Sequence, residues 1–442
     1  MILFTNLNKY IKRNLRYTIV FMLFVITSLS FADRSVLSIA GNAITSDLKI
    51  DSVTMGYIFS AFSWSYVIGQ IPGGILIDRY GTKLVYGTVI FLWSILSILH
   101  GFIGFFYGNL AVILLFTLRL LMGLITAPVF PSNARIVAEW FPSKERGVGT
   151  AVFSSAQYFS AVIFAPLIGW ITYIYGWNYV FIFLGLMGIC FALIWVGNYD
   201  IPGKHKRITS EEMEYLQRGG AHTYTNKKID DESSAESLGK RVIFRLLKNR
   251  MIVGVYIAQY SATTITYFFL TWFPVYLITE KSMSVLEVGF VSIFPAFAAF
   301  IGAITGGMFS DRLMGKGFSL TLARKIPIIT GMLISMSIIS ANYMDSIVLV
   351  ISIMSLAFFG KGFGGLGWAV ISDISPKNMA GINGALFNTF GNIAGITTPI
   401  IIGYILYLTG SFNLALLFIG VNAFVAIVSY VFIVGEIKEA HI

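Results

Sequence analysis

The 442-residue chain is 56% hydrophobic and 12% charged, with 15% aromatic residues and a formal charge of +10. Ordinary soluble domains are about 45–50% apolar and about 25% charged, so this chain cannot cover its own surface with polar groups. Intrinsic disorder and a soluble two-domain enzyme are excluded, and most helices must be apolar all round, which suits lipid.

A hydrocarbon core about 30 Å thick takes roughly 20 apolar residues per helical crossing. Twelve such runs follow one another, predicted over 17–40, 55–76, 84–104, 110–132, 147–171, 176–197, 250–278, 287–309, 326–344, 347–371, 381–404 and 412–435. The first follows Lys9, Lys12, Arg13 and Arg16 without a small-residue cleavage site, so it reads as a retained span and not a signal peptide. The one long polar stretch, 198–249, reads as a linker in which Thr209 or Ser210 caps a short helix with an acidic first turn, and Arg241, Phe244, Arg245 and Lys248 lie along the headgroups. A single cysteine, Cys190, excludes disulfides and thiolate metal sites.

An even number of spans puts both termini on one side, where 26 of the 31 Lys and Arg also fall; only Lys49 and Lys281 lie in the opposite loops, and Arg34, Arg119 and Lys361 lie within spans. This is the positive-inside pattern. It predicts a multi-pass protein of the cytoplasmic (plasma) membrane with both termini cytoplasmic, and it makes the basic charge a report of topology that needs no nucleic-acid partner.

The chain repeats itself. Gly73-Gly74-Ile75-Leu76-Ile77-Asp78-Arg79 recurs as Gly306-Gly307-Met308-Phe309-Ser310-Asp311-Arg312 at an offset of 233, and Pro142, Gly147, Phe153 and Gly169 match Pro376, Gly381, Phe387 and Gly403 at 234. Two parallel six-helix halves are implied, 1–197 and 250–442 around the 198–249 linker, with a substrate site between the halves near mid-membrane. The glycines of the repeated segment let helices close up in a tight loop. Asp78 or Asp311 is expected to meet a helix N-terminus, and Arg79 or Arg312 a partner carboxylate, as contacts that gate the cytoplasmic face.

No catalytic signature holds together: there is no GxSxG, HExxH or Walker loop. His205, His222 and His441 lie in polar segments, and His100, near the outer end of the third span, reads as an interfacial side chain. Neither an enzyme, a cofactor nor a metal is expected. What remains are ionisable groups in hydrocarbon, each costing at least ~2.5–3.5 kcal/mol on insertion scales unless it faces a cavity or a partner. These are Asp33, Arg34, Arg119 and Lys361, three cations and one acid, which a small dianion would balance. Asp33 sits about 100° round the helix from Arg34 and is the natural proton carrier; its other reading is a permanently ionised carboxylate holding Arg34 or Arg119 in place. Lys361 reads as a ligand cation or as a partner of Asp373. Polar residues also share faces, with Gln259, Thr263 and Thr266 at i, i+4, i+7 and Asn388, Asn392 and Gly395 likewise. Together with Tyr66, Gln157 and Trp368 these suit one cavity for a polyhydroxylated ligand, although singly each could be interhelical glue.

Several segments carry a resemblance: Phe31-Ala32-Asp33-Arg34-Ser35, Gln70-Ile71-Pro72-Gly73-Gly74, Asn133-Ala134-Arg135-Ile136-Val137-Ala138-Glu139-Trp140-Phe141-Pro142, Ala357-Phe358-Phe359-Gly360-Lys361-Gly362 and Phe387-Asn388-Thr389-Phe390-Gly391-Asn392. They are similar to segments of the anion:cation symporter family of the major facilitator superfamily, and within it of bacterial D-glucarate/D-galactarate permeases. The resemblance implies an all-α integral membrane protein with the major facilitator fold, twelve transmembrane helices in two pseudo-symmetric halves, and a monomer. It implies proton symport of a sugar diacid into the cell by alternating access. By position, Asp33 matches the coupling aspartate, Arg34, Tyr66, Gln157, Trp368 and Asn388 match residues lining the sugar-acid site, and Arg119 matches the membrane arginine of the fourth span. Lys361 suits the second carboxylate of a diacid. Two departures stand out: Thr126 replaces the Glu usual seven residues after that arginine, and Ser30-Phe31 replaces the common Asn-Tyr. Thr126 opens the alternative of a proton-independent exchanger or uniporter of a hexonate or hexuronate. A transporter-like ligand sensor acting through the linker is the reading from another class.

Overall fold

The structure is a computed structural model that describes residues 15–142, 145–223, 243–376 and 380–440. Lys9, Lys12, Arg13, Arg241 and the rest of 224–242 lie outside the described residues. Among those described there is no strand. The helices in chain order are α1 (Leu15–Ile39), α2 (Gly41–Leu48), α3 (Ser52–Tyr80), α4 (Thr82–Gly101), α5 (Gly108–Thr126), α6 (Val129–Trp140), α7 (Arg146–Tyr175), α8 (Trp177–Asn198) and the linker helix α9 (Ser210–Arg218). Then come α10 (Arg250–Tyr267), which runs through a π turn at Phe268–Trp272 into α11 (Phe273–Thr279), α12 (Val285–Val291), α13 (Ile293–Gly315), α14 (Leu320–Ser335), α15 (Ile347–Phe363), α16 (Gly367–Ile374), α17 (Ala380–Thr409) and α18 (Asn413–Val428).

Among the described residues, eleven helical stretches are long and apolar enough to cross a membrane. The remaining long helix is α3, with 29 residues, where Ser60, Ser63, Ser65, Tyr66 and Gln70 dilute the apolar character of the predicted second span. Boundaries follow local chemistry. Gly176, at φ +98° between α7 and α8, takes a backbone region that L side chains rarely adopt. Ser284 and Glu287 form a reciprocal capping box at α12. In the linker, the Thr209 side chain accepts from Glu212 N at 3.2 Å and caps α9 as the sequence implied. The repeated glycine segments are not loops: Gly73–Arg79 lies in the last turns of α3 and Gly306–Arg312 in those of α13. A membrane helix keeps its backbone bonds internal for as long as lipid surrounds it.

The described residues pack as two compact units that do not follow chain order. One comprises 15–36, 64–142, 145–164 and 171–223; the other comprises 37–63, 165–170, 243–376 and 380–440. In the first, α4 packs along α8, where a methyl group on Gly185 would fall 2.7 Å from Ser94 O, and Trp195 and Tyr199 stack at 4.0 Å. In the second, the first half of α3 lies on α17, with Ser52 Oγ donating to Gly403 O at 3.1 Å and the Tyr57 and Tyr404 hydroxyls 3.4 Å apart. Trp272 packs edge-on against Phe59 at 5.2 Å and donates Nε1–H to Pro399 O at 3.1 Å.

Candidate functional site

Within the first unit the membrane charges sort themselves. Asp33 on α1 and Arg119 on α5 form an ion pair, Arg119 Nη1 donating to Asp33 Oδ2 at 3.4 Å, and their side chains are 1% and 2% exposed. The other carboxylate oxygen accepts from Ser97 Oγ at 2.8 Å, and Ser97 in turn lies 3.1 Å from Phe181 O. Asp33 therefore holds Arg119 and not its chain neighbour Arg34. Arg34 is half-buried, with its guanidinium over the rings of Phe31 at 5.0 Å and Tyr66 at 5.2 Å. Gln157 on α7 is half-buried. The Thr126 hydroxyl donates to Met122 O of its own helix at 2.8 Å.

His100 departs from expectation. Its side chain is fully buried, Nδ1 lies 2.7 Å from Leu96 O, and its ring stacks on Phe181 at 5.1 Å. The interfacial reading followed from sequence position alone, whereas α4 turns this face onto α8.

Within the second unit, Lys361 on α15 lies 6.0 Å from the Phe358 ring centroid, and among the described residues no carboxylate pairs with it. Asp373, its candidate partner, is taken by Arg324 Nε at 2.8 Å, and Arg324 also donates to Ser310 Oγ at 3.0 Å. Trp368 is 55% exposed and meets Phe387 edge-on at 4.9 Å. Gln259 lies against Gly367 and Gly391, where a methyl group would come within 3.0 and 3.1 Å of its amide. Asn392 Nδ2 donates to Asn388 O at 2.9 Å and its Oδ1 accepts from Tyr267 OH at 3.2 Å. Gln259, Asn388 and Asn392 thus share one polar region with Tyr267, a residue missed in the sequence although it falls four after Thr263 on the Gln259 face.

The two copies of the glycine motif differ in contacts. A methyl group on Gly73 would fall 2.9 Å from the Pro128 ring, so α3 runs close past the start of α6. Asp78 pairs with Arg135 and not with a helix N-terminus, and Arg79 lies over the Tyr80 ring at 5.4 Å and meets no carboxylate among the described residues. Arg135 Nε also reaches Glu139 at 3.4 Å; Glu139 is buried and accepts from Thr82 at 3.1 Å and Tyr199 at 2.9 Å. Asp311 and Arg312 are exposed at the end of α13, with no ion pair among the described residues.

The Major Facilitator Superfamily model matches residues 23–399. The chain belongs to the major facilitator superfamily. It is 56% identical over 430 residues to the "Probable galactarate/D-glucarate transporter GudP" of Bacillus subtilis (strain 168), across 97% of this chain and 94% of that one. Against the protein of the same description from Escherichia coli (strain K12) the identity is 50% over 428 residues, across 97% and 95%. A solved structure, "Crystal structure of D-xylose-proton symporter", matches with a TM-score of 0.72 over 96% of this chain and 99% of that chain at 15% identity, a likeness of fold alone. The protein is a multi-pass membrane transporter of the superfamily and not an enzyme.

For a superfamily member the sorting of charge has a direct chemical meaning. The buried pair Asp33–Arg119 cancels its own charge, which leaves Arg34 and Lys361 as the other two membrane cations. Ser97 and Phe181, which frame it, gave no signal in the sequence because a serine and a phenylalanine in apolar runs are ordinary residues there.

Proposed function

We propose that this transporter carries a sugar diacid, galactarate or D-glucarate, into the cell across the plasma membrane together with protons, as a monomer with cytoplasmic termini. Two six-helix halves, 1–197 and 250–442, joined by the 198–249 linker, alternate access to the ligand. Arg34 and Lys361 bind the two carboxylates, Tyr66, Gln157, Gln259, Trp368, Asn388 and Asn392 meet the hydroxyls and carbon skeleton, and Asp33 takes the proton. Arg119 serves as the counter-ion of Asp33, and the Gly73, Asp78 and Arg79 segment with Asp311 and Arg312 forms the gating contacts of the cytoplasmic face.

The observation that carries the reading is Lys361: a cation midway along the apolar stretch Ile347–Ile374, with the acid twelve residues on, Asp373, already bound to Arg324. With Asp33 and Arg119 cancelling, the four membrane charges leave two positive, which a dianion neutralises. The named specificity of the relatives at 56% and 50% identity supports the same substrate class. Thr126, with its hydroxyl turned onto its own helix, favours one other reading, an exchanger or uniporter that moves the acid without protons.

The test is uptake of labelled D-glucarate into proteoliposomes with and without an inward proton gradient, with D-galactonate and D-glucuronate as competitors. Gradient-dependent accumulation blocked by diacids and not by monoacids is expected. Equilibration indifferent to the gradient would replace symport by exchange or uniport, and preference for a monoacid would remove the dianion.

A further inference from the structure

The Asp33–Arg119 pair leaves nitrogen atoms unanswered around it. Arg119 Nε and Nη2 and His100 Nε2 are each buried without a hydrogen-bond partner, in a protein class where lipid supplies none. The tautomer of His100 follows from its contact: Leu96 O can only accept, so Nδ1 carries the hydrogen and Nε2 presents a lone pair. A buried acceptor and two buried donors thus lie in one cluster. Both groups rest on the same ring, His100 stacked on Phe181 at 5.1 Å and 29°, and the Arg119 guanidinium 5.4 Å from its centroid. Ser97, three residues before His100 on the same face of α4, already donates to Asp33. One helix therefore offers a hydroxyl to the acid of the pair and an imidazole that shares the Phe181 ring with its base.

We propose that His100 is a positioning residue, the alternate hydrogen-bond acceptor of Arg119. When Asp33 is neutral it no longer holds the guanidinium as a counter-ion. Arg119 then donates to His100 Nε2, which keeps the cation seated against Phe181 until Asp33 releases its proton. The charged groups around His100 are Arg119 on α5 and, beyond it, Asp33 and Arg34 on α1; the α8 residue stacked on it, Phe181, carries no charge. The proposal rests on the reading of Asp33 as the proton carrier, but its test does not need transport.

Asn in place of Asp33 mimics the neutral acid. The effect of His100→Leu on the thermal midpoint of the purified full-length protein is measured in the wild-type and Asp33→Asn backgrounds, with His100→Gln, a neutral acceptor that does not titrate, alongside each. The expected result is a loss in midpoint at least twofold larger for His100→Leu in the Asp33→Asn background, restored by His100→Gln. Equal losses in both backgrounds, or no rescue by glutamine, overturn the proposal. So does failure of His100→Leu to fold with Asp33 intact, since Asp33 then already answers Arg119. Failure to fold only in the Asp33→Asn background, with rescue by His100→Gln, supports it. Should Asp33→Asn still accumulate D-glucarate against a gradient, the coupling reading fails, while the thermal midpoints still decide whether His100 answers Arg119.

Discussion

Gly56 of α3 and Gly403 of α17 meet so closely that neither tolerates a side chain: a methyl group on Gly56 would lie 2.7 Å from Pro399 O, and one on Gly403 2.6 Å from Ser52 O. The same unit contains a second crossing of the same make-up, where methyl groups on Gly169 and Gly289 would lie 2.8 Å from Val285 O and 2.8 Å from Ala165 O. Under the 233–234 offset Ser52 maps to Val285, Gly56 to Gly289, Pro166 to Pro399 and Gly169 to Gly403. The internal repeat thus supplies the same positions to both crossings, once in each order.

On the alternating-access reading these crossings lie at the outer end and must separate once per cycle. Overpacking a close contact costs about 1–3 kcal/mol, and each ~1.4 kcal/mol is tenfold in an equilibrium. Gly56→Leu and Gly403→Leu are expected to lower D-glucarate uptake at least tenfold while the protein still inserts. Gly197→Leu, at a position with nothing within 4 Å, serves as the control and keeps its uptake. Unchanged uptake in the first two would mean that the crossings do not move with transport.

The Asp33–Arg119 pair yields a stability test and a coupling test. Removing one member of a buried pair costs about 3–5 kcal/mol, while removing both often costs far less. Arg119→Met is expected to lower the thermal midpoint in detergent further than the Asp33→Asn, Arg119→Met double variant. Asp33→Asn by itself is expected to retain D-glucarate counterflow and to lose accumulation driven by a proton gradient; accumulation that persists would remove Asp33 from coupling.

On the proposed binding mode Lys361 sets the preference for two carboxylates over one. A hydrogen bond to a charged group contributes about 1.5–3 kcal/mol, so Lys361→Gln is expected to weaken D-glucarate competition by roughly tenfold to a hundredfold. Competition by D-galactonate, with a single carboxylate for Arg34, is expected to change less than threefold. A parallel loss for both acids would place Lys361 in the packing of α15 and not on the second carboxylate.

Glu212 of α9 ties the linker to the first span by accepting the backbone N–H groups of Leu15 at 3.1 Å and Arg16 at 3.2 Å. Burial raises its carboxyl above the ordinary glutamate value, against the lowering influence of those two N–H groups and the Arg16 charge. With a raised folded value, the contribution of Glu212 to stability is fully present below the unfolded value and is lost as pH rises through the folded one. Glu212→Gln stays neutral and still accepts an N–H, so its thermal midpoint is expected to gain on the wild type as pH climbs from about 4 to about 7. A flat difference for Glu212→Gln would mean that its carboxylate is not desolvated in the folded protein.

The sequence by itself determined the fold class, because a hydrocarbon solvent allows so few solutions: long apolar runs must be helices, and a charge inside one must have a reason to be there. Asp33, Arg34, Arg119 and Lys361 were legible on that ground alone, and the repeat was legible because the same offset recurs in widely separated segments. Only the tertiary structure decided which charges answer each other. Asp33 chose Arg119 over its chain neighbour Arg34 because a helix turns adjacent residues about 100° apart and α5 brings Arg119 to the Asp33 side. Asp373 chose Arg324 and left Lys361 without a carboxylate, and Asp78 found Arg135 in place of a helix end. His100 became buried where its position in the chain had suggested an interface. Asp33 and Arg119 lie 86 residues apart in the chain, so their pairing is a property of how helices pack, which periodicity along a single helix does not encode.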